Sequence, residues 1–136
     1  MIQPIMKDVI FLSQKAEPAT LEDKQIAVDL LDTLKAHEGE CVGMAANMIG
    51  VNKAIILVNI GFMNLIMYNP EIVKKTTPFQ TEEGCLSLVG VRKCTRYKES
   101  EVRYQDINFK QQCQKFSGWT AQIIQHEVDH LHGQII

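Results

Sequence analysis

Two histidines and a glutamate near the end of the chain have the spacing of a helical metal site. His126 and His130 are four residues apart, so both imidazoles point to one side of an α-helix and can bind one metal ion. Glu127 follows the first histidine, where its carboxylate can act as a general base towards water. Two solvated histidines on a polar helix are the alternative, but the His-Glu-x-x-His pattern is specific. It is typical of metal-dependent hydrolysis.

A catalytic metal site usually has three protein ligands and one open position, so a third ligand is required. Only six residues follow His130, and we therefore expect this ligand upstream. Cys85, in the segment 82–87 (EEGCLS), is the best candidate, because the glycine before it lets the backbone approach a site closely. The N–H of Leu86 has the position of an oxyanion donor. The residues alone leave Cys85 open, since a free cysteine is more often a small buried apolar side chain.

Helical periodicity predicts the two helices that position these residues. Residues 117–131 carry apolar side chains at helical spacing and contain the His-Glu-x-x-His pattern. Residues 21–37 form the other helix, because Thr20 and Asp23 have the form of an N-cap and an apolar stripe follows. The stripe consists of Ala27, Leu30, Leu31 and Leu34. We expect the first 15 or so residues to form an extended arm.

Strand patterns fill the chain between the two helices. They cover residues 53–60, 65–73, 92–97, 101–107 and, more weakly, 109–116, with a turn at 106–108. Asn69 and Pro70 interrupt the second of these strands. The expected fold class is therefore α+β, with a mostly antiparallel sheet around a C-terminal metal-binding helix and with an N-terminal helix. We expect a single catalytic domain over residues 1–136.

Composition excludes several classes of protein. The 136 residues include 14 Lys and Arg against 16 Asp and Glu, for a formal net charge of −2. No basic run is longer than Lys74-Lys75, which argues against direct nucleic-acid binding. No apolar stretch approaches the ~20 residues that cross a bilayer, and the first 20 residues do not have the pattern of a signal peptide. The four cysteines then indicate free thiols or a metal ligand in a cytoplasmic protein.

Three segments together resemble the signature motifs of peptide deformylases. Residues 83–87 (EGCLS) and 125–131 (QHEVDHL) match the second and third motifs, and residues 41–48 (CVGMAANM) match the first, Gly-x-Gly-x-Ala-Ala-x-Gln, in part. The motifs occur in family order and span nearly the whole chain. The resemblance implies an enzyme that removes the formyl group from the N-formylmethionine of nascent bacterial polypeptides, with the ribosome exit as a place of action.

The resemblance also implies a role for each matched residue. Cys85, His126 and His130 would be the metal ligands, Glu127 the catalytic acid and base, and the Leu86 N–H an oxyanion donor. Contact with the substrate is implied for Val42, Gly43, Met48 and Gly84. The cofactor would be one divalent metal ion, Fe²⁺ in the cell, with Zn²⁺ or Ni²⁺ also compatible with a thiolate and two imidazoles.

The first motif departs from the family pattern at two positions. Met48 replaces the glutamine whose amide would hold the oxyanion, and Cys41 replaces the opening glycine. A thioether cannot donate a hydrogen bond, and the loss of one oxyanion donor typically lowers the rate by about 10²–10³-fold. Asn47 carries an amide, but we expect its side chain to point away from the place of the missing glutamine amide, because it is the neighbour of residue 48. Two alternatives follow: a weakly active or catalytically silent deformylase-like protein that binds metal or peptide, and a structural metal site with Cys41 as the fourth ligand.

Overall fold

The protein, seen in a computed structural model, is described for residues 1–134, apart from the side chains of residues 88 and 89. In this part of the chain, five antiparallel strands form a sheet in which each strand pairs with the next along the sequence. The strands are β1 (Gly43–Ala45), β2 (Ile55–Asn59), β3 (Asn64–Cys85), β4 (Leu88–Gln105) and β5 (Gln111–Ser117). The helices are α1 (Val9–Leu12), α2 (Lys24–Ala36) and α3 (Gly118–Leu131), with 3₁₀ turns at Leu21–Asp23 and Ala46–Ile49. The expected α+β class is confirmed.

Both predicted helices are confirmed with small changes at their ends. The predicted helix 21–37 begins as the 3₁₀ turn and continues as α2. Its start is capped as expected, because the Thr20 N–H donates to the Asp23 carboxylate at 2.8 Å. The predicted helix 117–131 is α3. The prediction of an extended N-terminal arm was wrong in one part, since α1 forms a single helical turn whose N-cap is Asp8.

The interruption predicted at Asn69 and Pro70 is a β-bulge within β3. The pairing register with β4 shifts between Tyr68 and Glu71, and Asn69 adopts a positive φ of 52°. The Asn69 side chain compensates for the missing ladder bonds, because it accepts from the Ala19 N–H at 2.7 Å and donates to the Ala19 carbonyl at 3.1 Å. The strand therefore continues past the bulge, beyond the predicted end at residue 73, to Cys85.

Two other strand predictions are corrected by the structure. Residues 92–97 and 101–105 are parts of the continuous strand β4 rather than of two separate strands, and residues 106–107 lie beyond its end. The charged residues Lys98 and Glu99 between the two predicted strands indicate a loop, although the Glu99 backbone pairs with both β3 and β5. The short strand β1 lies in the first motif, residues 41–48, and was not predicted, because its three residues are all buried and show no alternation.

Helix α3 packs its apolar side against the sheet and so fixes where its polar side points. Ile124 and Val128 are buried in the same core cluster as Met44 of β1 and Ile56 of β2. Burial of each such side chain contributes roughly 1.5–3 kcal/mol. The core therefore anchors α3 along its length. None of the helices within residues 1–134 is long and apolar enough to span a bilayer.

Candidate metal centre and active site

Cys85, His126 and His130 bring their potential ligand atoms together, all within 4.8 Å of one another. Cys85 is the last residue of β3, at the turn into β4, whereas both histidines lie on α3. The Nε2 atoms of the two histidines are 3.0 Å apart, and their rings are inclined at 77°. His130 is 1% exposed and His126 is 8% exposed. The structure thus assembles the three predicted ligands from two elements.

Glu83 fixes the orientation of His126. The Nδ1 atom of His126 donates to a Glu83 carboxylate oxygen at 2.7 Å, so the Nε2 lone pair is left for a metal ion. Burial alone would raise the pKa of Glu83, but hydrogen bonds from His126, Arg96 and Gln122 outweigh it and lower the pKa to about 2. Glu83 is therefore a carboxylate at neutral pH.

Arg96 holds Glu83 in place and connects it to α3. Its guanidinium contacts both carboxylate oxygens of Glu83 at 2.8–3.0 Å and the Asp129 carboxylate at 2.6 Å. Arg96 is 3% exposed, so these charge-assisted hydrogen bonds are shielded from water. Gln122 donates at 2.7 Å to Oε2 of Glu83, the carboxylate oxygen that His126 does not contact. The result is a buried network that joins the β3–β4 hairpin to α3.

The two histidines differ in their protonation. Burial lowers the pKa of His130 to about 3, and the positive charges of His126 and Arg96 act in the same direction. Burial alone would also lower the pKa of His126, but hydrogen bonds with Cys85 and Glu83 outweigh this effect and raise the pKa of His126 to about 10. His130 is thus neutral, and a metal ion on Nε2 of His126 would displace a proton.

Glu127 presents a carboxylate beside these ligands without a hydrogen bond to satisfy it. It is 4% exposed, and among the described residues its Oε1 atom has no partner. Burial raises the pKa of Glu127 to about 7, although the charge of His126 opposes the rise. A carboxyl group with a pKa near neutrality is matched to proton transfer. A buried, unsatisfied carboxylate oxygen also needs a partner, which a water molecule in the cleft that Glu127 borders would provide.

The donor set fits a divalent metal ion. A thiolate and two imidazoles bind Zn²⁺, Fe²⁺ and Ni²⁺ alike, and the Glu83 hydrogen bond supplies the orientation that metal-bound histidines usually have. The alternative of a structural metal site with Cys41 as the fourth ligand finds no support in residues 1–134, where Cys41 lies outside the ligand cluster. Burial, with the charges of Glu127 and Cys85, raises the pKa of Cys41 to about 12. Cys41 therefore remains a thiol.

The predicted substrate-binding residues line one cleft, of about 780 Å³, that opens over the ligand cluster. Apolar surface is contributed by Trp119 and Ile123 of α3, and Trp119 is 61% exposed rather than packed in the core. The cleft is bordered by all five residues that the sequence analysis assigned to substrate contact or oxyanion binding: Val42, Gly43, Met48, Gly84 and Leu86. Their roles stay predictions, whereas their common location is a finding.

Gly43 allows the first motif to lie directly against α3. A Cβ atom at this position would be 2.7 Å from Ile123 Cγ2 and 2.9 Å from Glu127 Oε2. Any larger residue would have to push Ile123 or Glu127 aside. The glycine is therefore required by close approach to the site.

Met48 points towards the metal ligands, and Asn47 does not. The Met48 Sδ atom lies 3.9 Å from Cys85 Sγ and accepts the Ala45 N–H at 3.5 Å. The Asn47 amide instead donates to the backbone carbonyl of His130 at 2.9 Å. As predicted, the neighbouring amide does not replace the missing glutamine.

Four residues that the sequence analysis did not assign complete the surroundings of the site. A signal was available for two of them. Glu83 lies two positions before Cys85, so both side chains emerge on the same face of β3. Asp129 lies three positions after His126, on the same side of α3. The contributions of Arg96 and Gln122 depend on how the hairpin docks against the helix, which spacing does not reveal.

The chain is similar in sequence to proteins of one enzyme family. Residues 2–136 match the family described as polypeptide deformylase. A peptide deformylase of Clostridium beijerinckii is 54% identical over 136 residues, which is 100% of both chains. A peptide deformylase of Rickettsia prowazekii is 34% identical over 140 residues, covering 92% of this chain and 79% of its own.

Solved structures of the same family share the fold. An actinonin-bound class I type b peptide deformylase of Acinetobacter baumannii has a TM-score of 0.88 at 29% identity, covering 99% of this chain and 95% of its own. A peptide deformylase of Thermotoga maritima has a TM-score of 0.89 at 27% identity, covering 98% and 93%. The likeness extends over nearly the whole chain.

Proposed function

Because the chain belongs to the polypeptide deformylase family, we propose that it is a metal-dependent hydrolase that removes the formyl group from N-formylmethionyl nascent polypeptides. One observation supports this reaction most strongly. The buried Glu127 carboxylate, with one oxygen unsatisfied among the described residues, lies at the cleft beside three metal-ligating side chains. A protein that only binds metal or peptide has no need for such a base.

Cys85, His126 and His130 would hold one divalent ion, and Glu83 would keep the first histidine in the right tautomer. When bound, such an ion lowers the pKa of the attacking water and polarises the formyl oxygen. We propose Fe²⁺ as the ion in the cell and Zn²⁺ or Ni²⁺ as ions of the isolated protein. The thiolate and imidazole donors are compatible with all three, and the choice of Fe²⁺ rests on the family resemblance.

Glu127 would move the proton that the hydrolysis requires. Its carboxylate takes a proton from the attacking water and returns it to the amine as the bond between the formyl carbon and the nitrogen breaks. Formate and the free amino terminus are then the two products. The burial of Glu127 favours this exchange, since a carboxyl with a pKa of about 7 both accepts and releases a proton near neutral pH.

The backbone around the cleft would bind and orient the substrate. The Leu86 N–H, just after the ligand Cys85, is our proposed donor to the formyl oxygen as negative charge develops on it. Val42, Gly43 and Gly84 border the same cleft as Leu86 and would contact the peptide backbone. The exposed ring of Trp119 offers an apolar surface to the methionine side chain.

The substrate also defines the expected setting of the protein. Formylmethionyl chains emerge from ribosomes in the bacterial cytoplasm, and we propose that the protein acts there. The lack of a long basic run in the sequence favours contact with the peptide rather than with nucleic acid.

The decisive experiment measures formate release from formyl-Met-Ala-Ser by protein loaded anaerobically with Fe²⁺. Glu127→Gln keeps the shape of the side chain and removes the base, so we expect a rate loss of about 10²–10⁴-fold with unchanged metal content. Glu40→Gln is the matched control, because Glu40 borders the same cleft but is exposed. Equal rates for wild type and Glu127→Gln would refute the proposed role. No release by metal-loaded wild type would instead favour the silent binding protein.

A further inference from the structure

We infer that the Met48 thioether is a fourth, reversible donor to the metal ion that Cys85, His126 and His130 would hold. This assignment rests on the metal centre of the proposed function. It goes beyond that function because it gives a role to the sulfur atom that replaces an amide of the family motif.

The sulfur atoms of Met48 and Cys85 have the separation expected of two ligands on one ion. They lie 3.9 Å apart. Two sulfurs bound at about 2.3 Å with tetrahedral angles would be about 3.8 Å apart. The Nε2 atoms of His126 and His130 lie 3.0 Å apart, where tetrahedral nitrogens at about 2.0 Å would be about 3.3 Å apart. Each of the two measured separations is therefore close to an edge of a coordination tetrahedron.

The surroundings of Met48 leave its sulfur free to bind. The side chain is 1% exposed and borders the same cleft as Cys85 and His126. Among the described residues, Sδ accepts hydrogen bonds from the Ala45 N–H at 3.5 Å and from the Cys85 thiol at 3.9 Å. Both are weak, because a thioether sulfur is a poor hydrogen-bond acceptor.

A second sulfur donor changes the metal preference of the site. Thioether and thiolate ligands favour soft ions such as Cu⁺ and borderline ions such as Zn²⁺. Hydrolysis needs an open position on the ion, so the thioether must leave when the site reacts. Methionine suits this exchange because its side chain has three rotatable bonds and its sulfur is a weak ligand. Met48 would close the resting site and release it for the substrate.

The test is X-ray absorption at the zinc edge of full-length protein loaded with one equivalent of Zn²⁺. We expect two sulfur neighbours of the metal in the wild type and one in Met48→Leu, which keeps an apolar side chain without sulfur. Met44→Leu is the matched control, because Met44 is also fully buried and near the site in sequence but does not border the cleft. It should keep both sulfurs. Met48→Gln is a second variant should the leucine variant fail to fold.

One sulfur neighbour in the wild type would overturn the inference without any variant. An equal loss of sulfur in Met44→Leu would also overturn it, because the loss would then be unspecific. Formate release separates this result from the proposed function. Two sulfurs without hydrolysis would support the Met48 assignment and refute the function, whereas hydrolysis with one sulfur would refute the assignment alone.

Discussion

Replacement of Arg96 should destabilise the protein more than replacement of an exposed arginine, because it removes the guanidinium that two acidic side chains share. Arg96 is 3% exposed, and its partners Glu83 and Asp129 have side chains that are 9% and 22% exposed. Removal of one member of a buried ion pair destabilises a protein by about 3–5 kcal/mol. Arg96→Met keeps much of the apolar stem and removes the charge, so it isolates this effect.

The free energy of unfolding can be measured by urea denaturation of metal-free protein at pH 7. With a denaturant slope of about 2 kcal/mol per M, the Arg96→Met midpoint should be about 2 M lower than that of the wild type. Arg103→Met is the matched control on the same strand. Arg103 pairs with Glu71, but their side chains are 50% and 64% exposed. Its loss should lower the stability by less than about 1 kcal/mol.

A double variant tests whether the lost ion pair is the cause. Glu83→Gln removes the buried carboxylate that Arg96→Met deprives of its guanidinium, so the double variant should be destabilised by less than the sum of the two single variants. Equal midpoints for Arg96→Met and Arg103→Met would refute the reasoning. So would strict additivity of Arg96→Met and Glu83→Gln.

The remaining predictions concern the cleft and the pH dependence of stability. Gly43→Ala should lower the free energy of unfolding by about 1–3 kcal/mol and should lower the rate of formate release at least tenfold. Gly84→Ala is the comparison, because its Cβ would be 3.4 Å from the nearest atom, and this variant should melt near the wild-type temperature. Met48→Gln should raise formate release by up to about 10²-fold by adding an oxyanion donor, and an unchanged rate would show that no such donor is missing. Glu83 has a pKa lowered to about 2 from 4.5, so in metal-free protein its contribution of about 3 kcal/mol is present above pH 4.5 and lost as the pH falls to 2. A stability difference between wild type and Glu83→Gln that stays constant over that range would contradict this origin.

The sequence revealed the reacting groups better than the elements that carry them. The spacing of His126 and His130 depends on one helix alone, so it could be recognised without any tertiary information. Cys85 could be placed near them only as one of two alternatives, because the contact joins the hairpin turn to α3. The continuity of β4 through Lys98 and Glu99 was missed for a related reason. Pairing of the Glu99 backbone with both β3 and β5 outweighs the weak strand propensity of charged residues.

The order of the strands has a consequence for how the protein folds. Each strand pairs with its neighbour in the chain, so the sheet can form by successive closure of local hairpins, which is kinetically easy. The site depends on a longer closure, since Glu83 and His126 are 43 residues apart and the loss of chain entropy increases with the length of the closed loop. We expect the sheet to form first and α3 to dock afterwards. The ability to capture a metal ion would then be the last property that the refolding chain acquires.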